Sequence, residues 1–176
     1  MTSRIRTKPM SDAALDVRHQ VANEICAIWG PVVIRLVDGA RTEPSDIDRV
    51  RVMLEELIDH WPTIGMLTIA HHGTPLASVA TMRYSMQRMG NLEDRLVVGI
   101  ALLGLGFWAD AGRTTVEFMT RLANRRNTFM LGNSVESVVD RMAFELVGLE
   151  REQLCSAYDE LERRFRPARA APRPAD

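Results

Sequence analysis

The chain has 176 residues, of which 46% are hydrophobic and 26% charged, with a formal net charge of −1. That composition is ordinary for a globular chain long enough to build one full hydrophobic core. It carries no global charge that would draw it to nucleic acid, and its longest apolar run, LVVGIALLGLGFWA at 96–109, is shorter than the roughly 20 residues a membrane span needs.

The elements are predicted in chain order. Residues 1–20 are polar without a clear period, and SRIRTKP reads as a flexible N-terminal arm. EICAIWG (24–30) and VVIRLVDG (32–39) are β-type runs joined at Gly30-Pro31, so they should pair antiparallel. PSDIDRVRVMLEELIDHW (44–61) has apolar residues at Ile47, Val50, Leu54, Leu57 and Ile58, the spacing of a helix face, with Ser45 as its expected N-cap and Pro62 as its stop. IGMLTIA (64–70) is a third strand. TPLASVATMRYSMQRMG (74–90) is a second helix, with Thr74 as its expected N-cap, Pro75 at the first helical position and Gly90 closing it. RLVVGIALLG (95–104) is nearly all apolar, as a central strand covered on both faces should be. FWADAGRTTVEFMTRLANRR (107–126) is a helix, TFML (128–131) a short strand, and VESVVDRMAFELV (135–147) a helix opening on Asn133 and Glu136. LEREQLCSAYDELERRF (149–165) adds an amphipathic helix, and RPARAAPRPAD (166–176) reads as a disordered tail. The fold class is therefore α/β: one mixed sheet, an N-terminal antiparallel hairpin followed by β-α units, packed with helices.

Three stretches resemble the STAS fold, the fold of the anti-sigma-factor antagonists, and most of all its divergent SpoIIAA-like branch. One is VVIRLVDG followed by a Ser-capped helix. The next is a helix ending at a proline before IGMLTIA. The last is RLVVGIALLG running into LGFWADAGRTTVEFMTRL, then TFMLGNSVESVVDRMAFEL. The resemblance covers about residues 24–147 and divides the chain into an arm (1–20), a STAS-like domain (21–148), an extra helix (149–165) and a tail (166–176). It implies a non-enzymatic bacterial regulatory or scaffold protein that works by binding a partner protein. In classical members a serine or threonine at the start of the helix after the third strand is phosphorylated to switch the partner. Here that region is HHGTPLAS (71–78), with histidines in place of the family's aspartate and a proline after Thr74.

The residues themselves offer little chemistry. No nucleophile–base pair, paired carboxylates or cofactor motif is present, so no catalytic residue, cofactor or metal is assigned. His71 and His72 are adjacent, and neighbours on a strand point to opposite faces, which does not suit one metal ion. Gly104-Leu105-Gly106 lacks the rest of a phosphate loop, and Arg121, Arg125 and Arg126 complement a helix C-terminus without indicating nucleic acid. Cys26 and Cys155 form no CxxC, and with no signal-like start the expected compartment is the cytoplasm. The partner-binding or phospho-switch candidates are His72, Thr74, Ser78, Phe107 and Trp108, with the Met82, Met86 and Met89 stripe as an adaptable face beside them. A homodimer is expected through helix 149–165 and the apolar residues near Phe107. The alternative function is binding of a lipid or small apolar ligand in a cleft between sheet and helices, since the SpoIIAA-like branch resembles lipid-transfer domains. A filled core would favour the first reading and an elongated apolar cavity the second.

Overall fold

A computed structural model describes residues 13–92, 94–104 and 128–170. Its centre is one mixed sheet of six strands: β1 (Asp16–Val21), β2 (Glu24–Trp29), β3 (Val32–Val37), β4 (Ile64–Ala70), β5 (Leu96–Leu102) and β6 (Thr128–Gly132), hydrogen-bonded in that order. β1, β2 and β3 form an antiparallel meander, and β4, β5 and β6 run parallel to β3. The turn from β2 to β3 is two residues long, with Gly30 at φ 52° supplying the backbone conformation that a side chain would strain. The helices are α1 (Pro44–Ile58), α2 (Val79–Met89), α3 (Val135–Glu145) and α4 (Arg151–Ala170), with a short 3-10 turn at Gly90–Leu92.

Strand alternation sorts the core into two halves. Ile25, Ala27, Ile34, Leu36, Leu67 and Ile69 face one way and pack with residues of α3 and α4. Cys26, Val33, Ile64, Leu96 and Val98 face the other way and pack with α1, with Met89 at the end of α2 and with Leu92 in the turn that follows. The sheet is thus covered on both sides, which is why β3, β4 and β5 read as apolar runs without alternation. The α/β class, the β2–β3 hairpin and the succeeding β-α units are as the sequence pattern predicted.

Several boundaries differ. The expected flexible arm contains β1, because Ala13, Leu15 and Val17 repeat at period two and pack against the core while Arg18 and Asp16 stay outside. α1 is capped at Glu43, not Ser45, and the Asp46 carboxylate accepts a hydrogen bond from the Glu43 N–H at 2.9 Å. α2 begins four residues later than expected, capped by Ser78 rather than Thr74, and α3 is capped by Ser134 rather than Asn133. α4 runs on to Ala170, through the first residues of the expected tail. Leu149, Leu154, Ala157, Leu161 and Phe165 are buried in the chain's own core, so the apolar face of this helix is taken up within the chain. The helix expected over 107–126, with Phe107, Trp108 and its basic cluster, lies outside the described residues.

Candidate functional site

The C-terminal ends of the parallel strands gather the polar residues that the core rejects. β4 ends at Ala70, and His71 is still tied to the sheet, its N–H donating to the Val37 carbonyl at 2.8 Å. The His71 side chain continues the Leu67–Ile69 face and reaches α4, where Nε2 lies 3.1 Å from Glu162 Oε2. Both side chains are about nine-tenths buried. The Phe165 ring stands beside the imidazole, centroids 6.1 Å apart and tilted by 39°. Arg166 Nε approaches the other Glu162 oxygen at 3.4 Å, so the carboxylate is shared between two donors. Tyr158, on the same helix, has its phenol pushed up to about 12 by burial and then by the negative charge of Glu162.

His72 turns away from its neighbour. It is exposed, and its ring lies over the end of β5, where a Cβ on Gly104 would fall 2.6 Å from His72 Nδ1. The two histidines therefore diverge, as adjacent residues at a strand end should. Among the described residues no group of three or more His, Cys, Asp or Glu side chains is arranged to hold a metal ion.

Thr74 does not cap α2. Its hydroxyl donates to the Val37 carbonyl at 3.2 Å and accepts from the Gly39 N–H at 3.0 Å, bridging the connection after β4 to the end of β3. Ser78 takes the cap: its Oγ accepts from the Thr81 N–H at 3.0 Å and lies 2.9 Å from Thr81 Oγ1. The connection 72–78 is consequently pinned at His71, at Thr74 and at Ser78. Between the pins, His72, Gly73 and Pro75 are exposed, and the exposed surface continues through Ser78, Val79 and Ala80 into the first turn of α2. Met82 and Met86 are half-buried and Met89 is buried, so the methionine stripe is only partly offered to solvent. Phe107 and Trp108, the other two candidates, cannot be placed in this arrangement because they lie outside the described residues.

A second polar cluster lies under the N-terminus of α1. Glu24 and Arg35 are 4% and 3% exposed, on neighbouring antiparallel strands, and Arg35 Nε donates to Glu24 Oε1 at 2.9 Å. Arg49 Nη1 approaches the same oxygen at 3.4 Å, and Arg35 Nη1 donates to Thr42 at 3.0 Å. The Cys26 thiol donates to Glu24 at 3.2 Å, and burial first, then the Glu24 charge, pushes its pKa well up, so it is an unreactive neutral thiol. This cluster anchors β2, β3 and α1 to one another and presents no accessible nucleophile.

Sequence reasoning missed Glu162 and the Glu24–Arg35 pair, although both leave a trace. Glu162 stands at a core position in the stripe Tyr158, Leu161, Phe165, and Arg35 is the single charge inside VVIRLV. A charge inside an apolar pattern needs a buried partner. No helix among the described residues is long and apolar enough to cross a membrane. No family model, no curated protein and no solved structure matches this chain.

Proposed function

We propose that the protein is a non-enzymatic regulatory or scaffold protein of the anti-sigma-factor-antagonist type, working in the cytoplasm, and that a partner protein docks on the connection from β4 to α2. The observation that carries this reading is the way residues 72–79 are displayed: anchored through His71, Thr74 and Ser78, yet exposed at His72, Gly73, Pro75 and Val79. A surface loop held in one conformation loses little entropy when it binds. The free cysteines Cys26 and Cys155 are in keeping with a reducing compartment. Ser78 takes over from Thr74 as the switch candidate, because it is exposed at the start of α2, where a phosphate would meet free N–H groups and the positive end of the helix dipole. Side chains fully buried on both faces of the sheet, such as Ile34, Ile69 and Phe165 on one and Leu54 and Ile64 on the other, support protein binding over an apolar-ligand cleft.

The test is partner capture by the full chain, with the partner identified by cross-linking and mass spectrometry, followed by titration of the purified partner. Val79→Asp and His72→Glu alter exposed side chains and should weaken binding at least about tenfold with thermal unfolding unchanged, since surface changes of this kind usually stay within about 0.5 kcal/mol of stability. Binding that is untouched by both variants would remove the docking role from this connection.

A further inference from the structure

α3 has two unlike sides. Val135, Val138, Val139 and Met142 are buried against the sheet. Arg141, Phe144 and Glu145 are exposed, Phe144 by 88%, and Val147 just past the helix end by 82%. At roughly 100° per residue, Arg141, Phe144 and Glu145 lie within about 100° of one another, on one face. An exposed apolar residue by itself is common and means nothing. The charges that flank this one are what give it meaning.

Arg141 stands two residues before Ala143, and Glu145 two residues after it. When α3 is laid antiparallel on a copy of itself with a two-fold axis at the height of residue 143, Arg141 of each copy comes level with Glu145 of the other. The Phe144 rings meet across the axis, while the Ala143 side chain packs against the core on the other side of the helix. A parallel pairing would instead set arginine on arginine and glutamate on glutamate. Glu145 has no ion-pair partner among the described residues, and Arg141 makes only a hydrogen bond to the Leu131 carbonyl at 3.2 Å at the exposed surface. The face carries Arg141 and Glu145, and Asp140 at its edge is already paired with Arg151, so a strongly acidic or strongly basic partner finds no complement on it, whereas Arg141 and Glu145 complement their own copies.

We propose that this side of α3 is a self-association surface on which a second copy of the chain docks, Phe144 against Phe144 and Arg141 against Glu145, about a two-fold axis. An isologous contact of this kind closes at two chains. One short helix face buries less than the roughly 1,200 Å² at the lower end of stable interfaces, so the dimer should be weak and concentration-dependent. The surface is separate from the β4–α2 connection, and the proposal does not rest on the docking reading given above.

Sedimentation equilibrium of the full chain from micromolar to sub-millimolar concentration should show a monomer–dimer equilibrium. Phe144→Asp should be monomeric throughout, with its thermal unfolding unchanged. Arg141→Glu and Glu145→Arg should each weaken dimerisation about tenfold, by placing like charges together, and the double variant should restore it. A wild-type chain that is monomeric over the whole range overturns the proposal. So does a dimer that survives Phe144→Asp, or a double variant no better than either single one.

Discussion

Burial by itself would push the Glu24 carboxyl up toward its neutral form. Arg35 outweighs that effect, with help from the Cys26 thiol and Arg49, and holds the group below its ordinary range. A carboxylate with a lowered folded pKa stabilises the protein fully above its unfolded value, about 4.3, and that stabilisation is lost as pH falls through the folded value. Urea midpoints measured from about pH 6 down to about pH 3 should therefore fall more steeply for the wild type than for Glu24→Gln, in which the linked proton is gone. Arg35→Met strands Glu24 as a buried charge without its main partner and should cost about 3–5 kcal/mol at neutral pH, read from the same denaturation curves. Thr74 and Ser78 separate in the same way. Thr74→Val keeps the shape but removes a hydrogen bond to the exposed Gly39 N–H, which water can replace, and should cost about 0.5–1.5 kcal/mol, whereas Ser78→Ala loses a helix cap and should cost about 1 kcal/mol.

At the scale of elements, α3 sits close on β5 because Gly99 has no side chain. A Cβ there would stand 2.4 Å from Met142 Sδ and 2.6 Å from Val138 Cγ1, both buried and hemmed in. Gly99→Ala should therefore destabilise by about 1–3 kcal/mol through overpacking, visible as a lowered thermal midpoint, even though alanine suits a strand no worse than glycine does. Gly65 gives the same clearance on β4, where a Cβ would lie 2.8 Å from Leu146 Cδ1. α1 and α2 meet on the other face through a different device: the Tyr84 hydroxyl donates to Asp48 at 2.8 Å, and Arg88 Nε donates to the same carboxylate at 2.9 Å. Those contacts are at the surface and set the pairing of the helices more than they stabilise it.

For the whole molecule, the decisive element is α4. It lies along the α3 side of the sheet and brings Leu154, Leu161 and Phe165, each 0% exposed, into the core cluster with β2 and β3. Its far end is fastened by the His71–Glu162 contact and by Gln20 Nε2 donating to the Arg164 carbonyl at 3.3 Å. The fold is therefore a three-layer unit whose last helix is part of the core. A chain stopped after Glu150 should lose cooperative unfolding, since the inner faces of β2 and β3 would be left in water, and loss of near-ultraviolet circular dichroism is the readout. Phe165→Ala in the full chain should cost about 3–5 kcal/mol for the cavity it leaves.

Local pattern was enough to determine the strands from β2 to β6, the α/β class, the hairpin at Gly30-Pro31 and the existence of α1, α2, α3 and α4. Each of those rests on periodicity or turn chemistry that neighbouring residues carry among themselves. The true caps lay beyond the sequence: Ser45 is the stronger cap by residue type than Glu43, and Thr74 and Ser78 are alike until a competing partner claims one of them. Thr74 is claimed by Gly39 and Val37, residues 35 and 37 positions away. β1 was missed because only the core on one side of the sheet gives meaning to Ala13, Leu15 and Val17. The roles of His71, Glu162, Glu24 and Arg35 were decided by tertiary structure alone. A charge in an apolar run announces that it needs a partner, and only the packing of distant elements can say which residue that partner is.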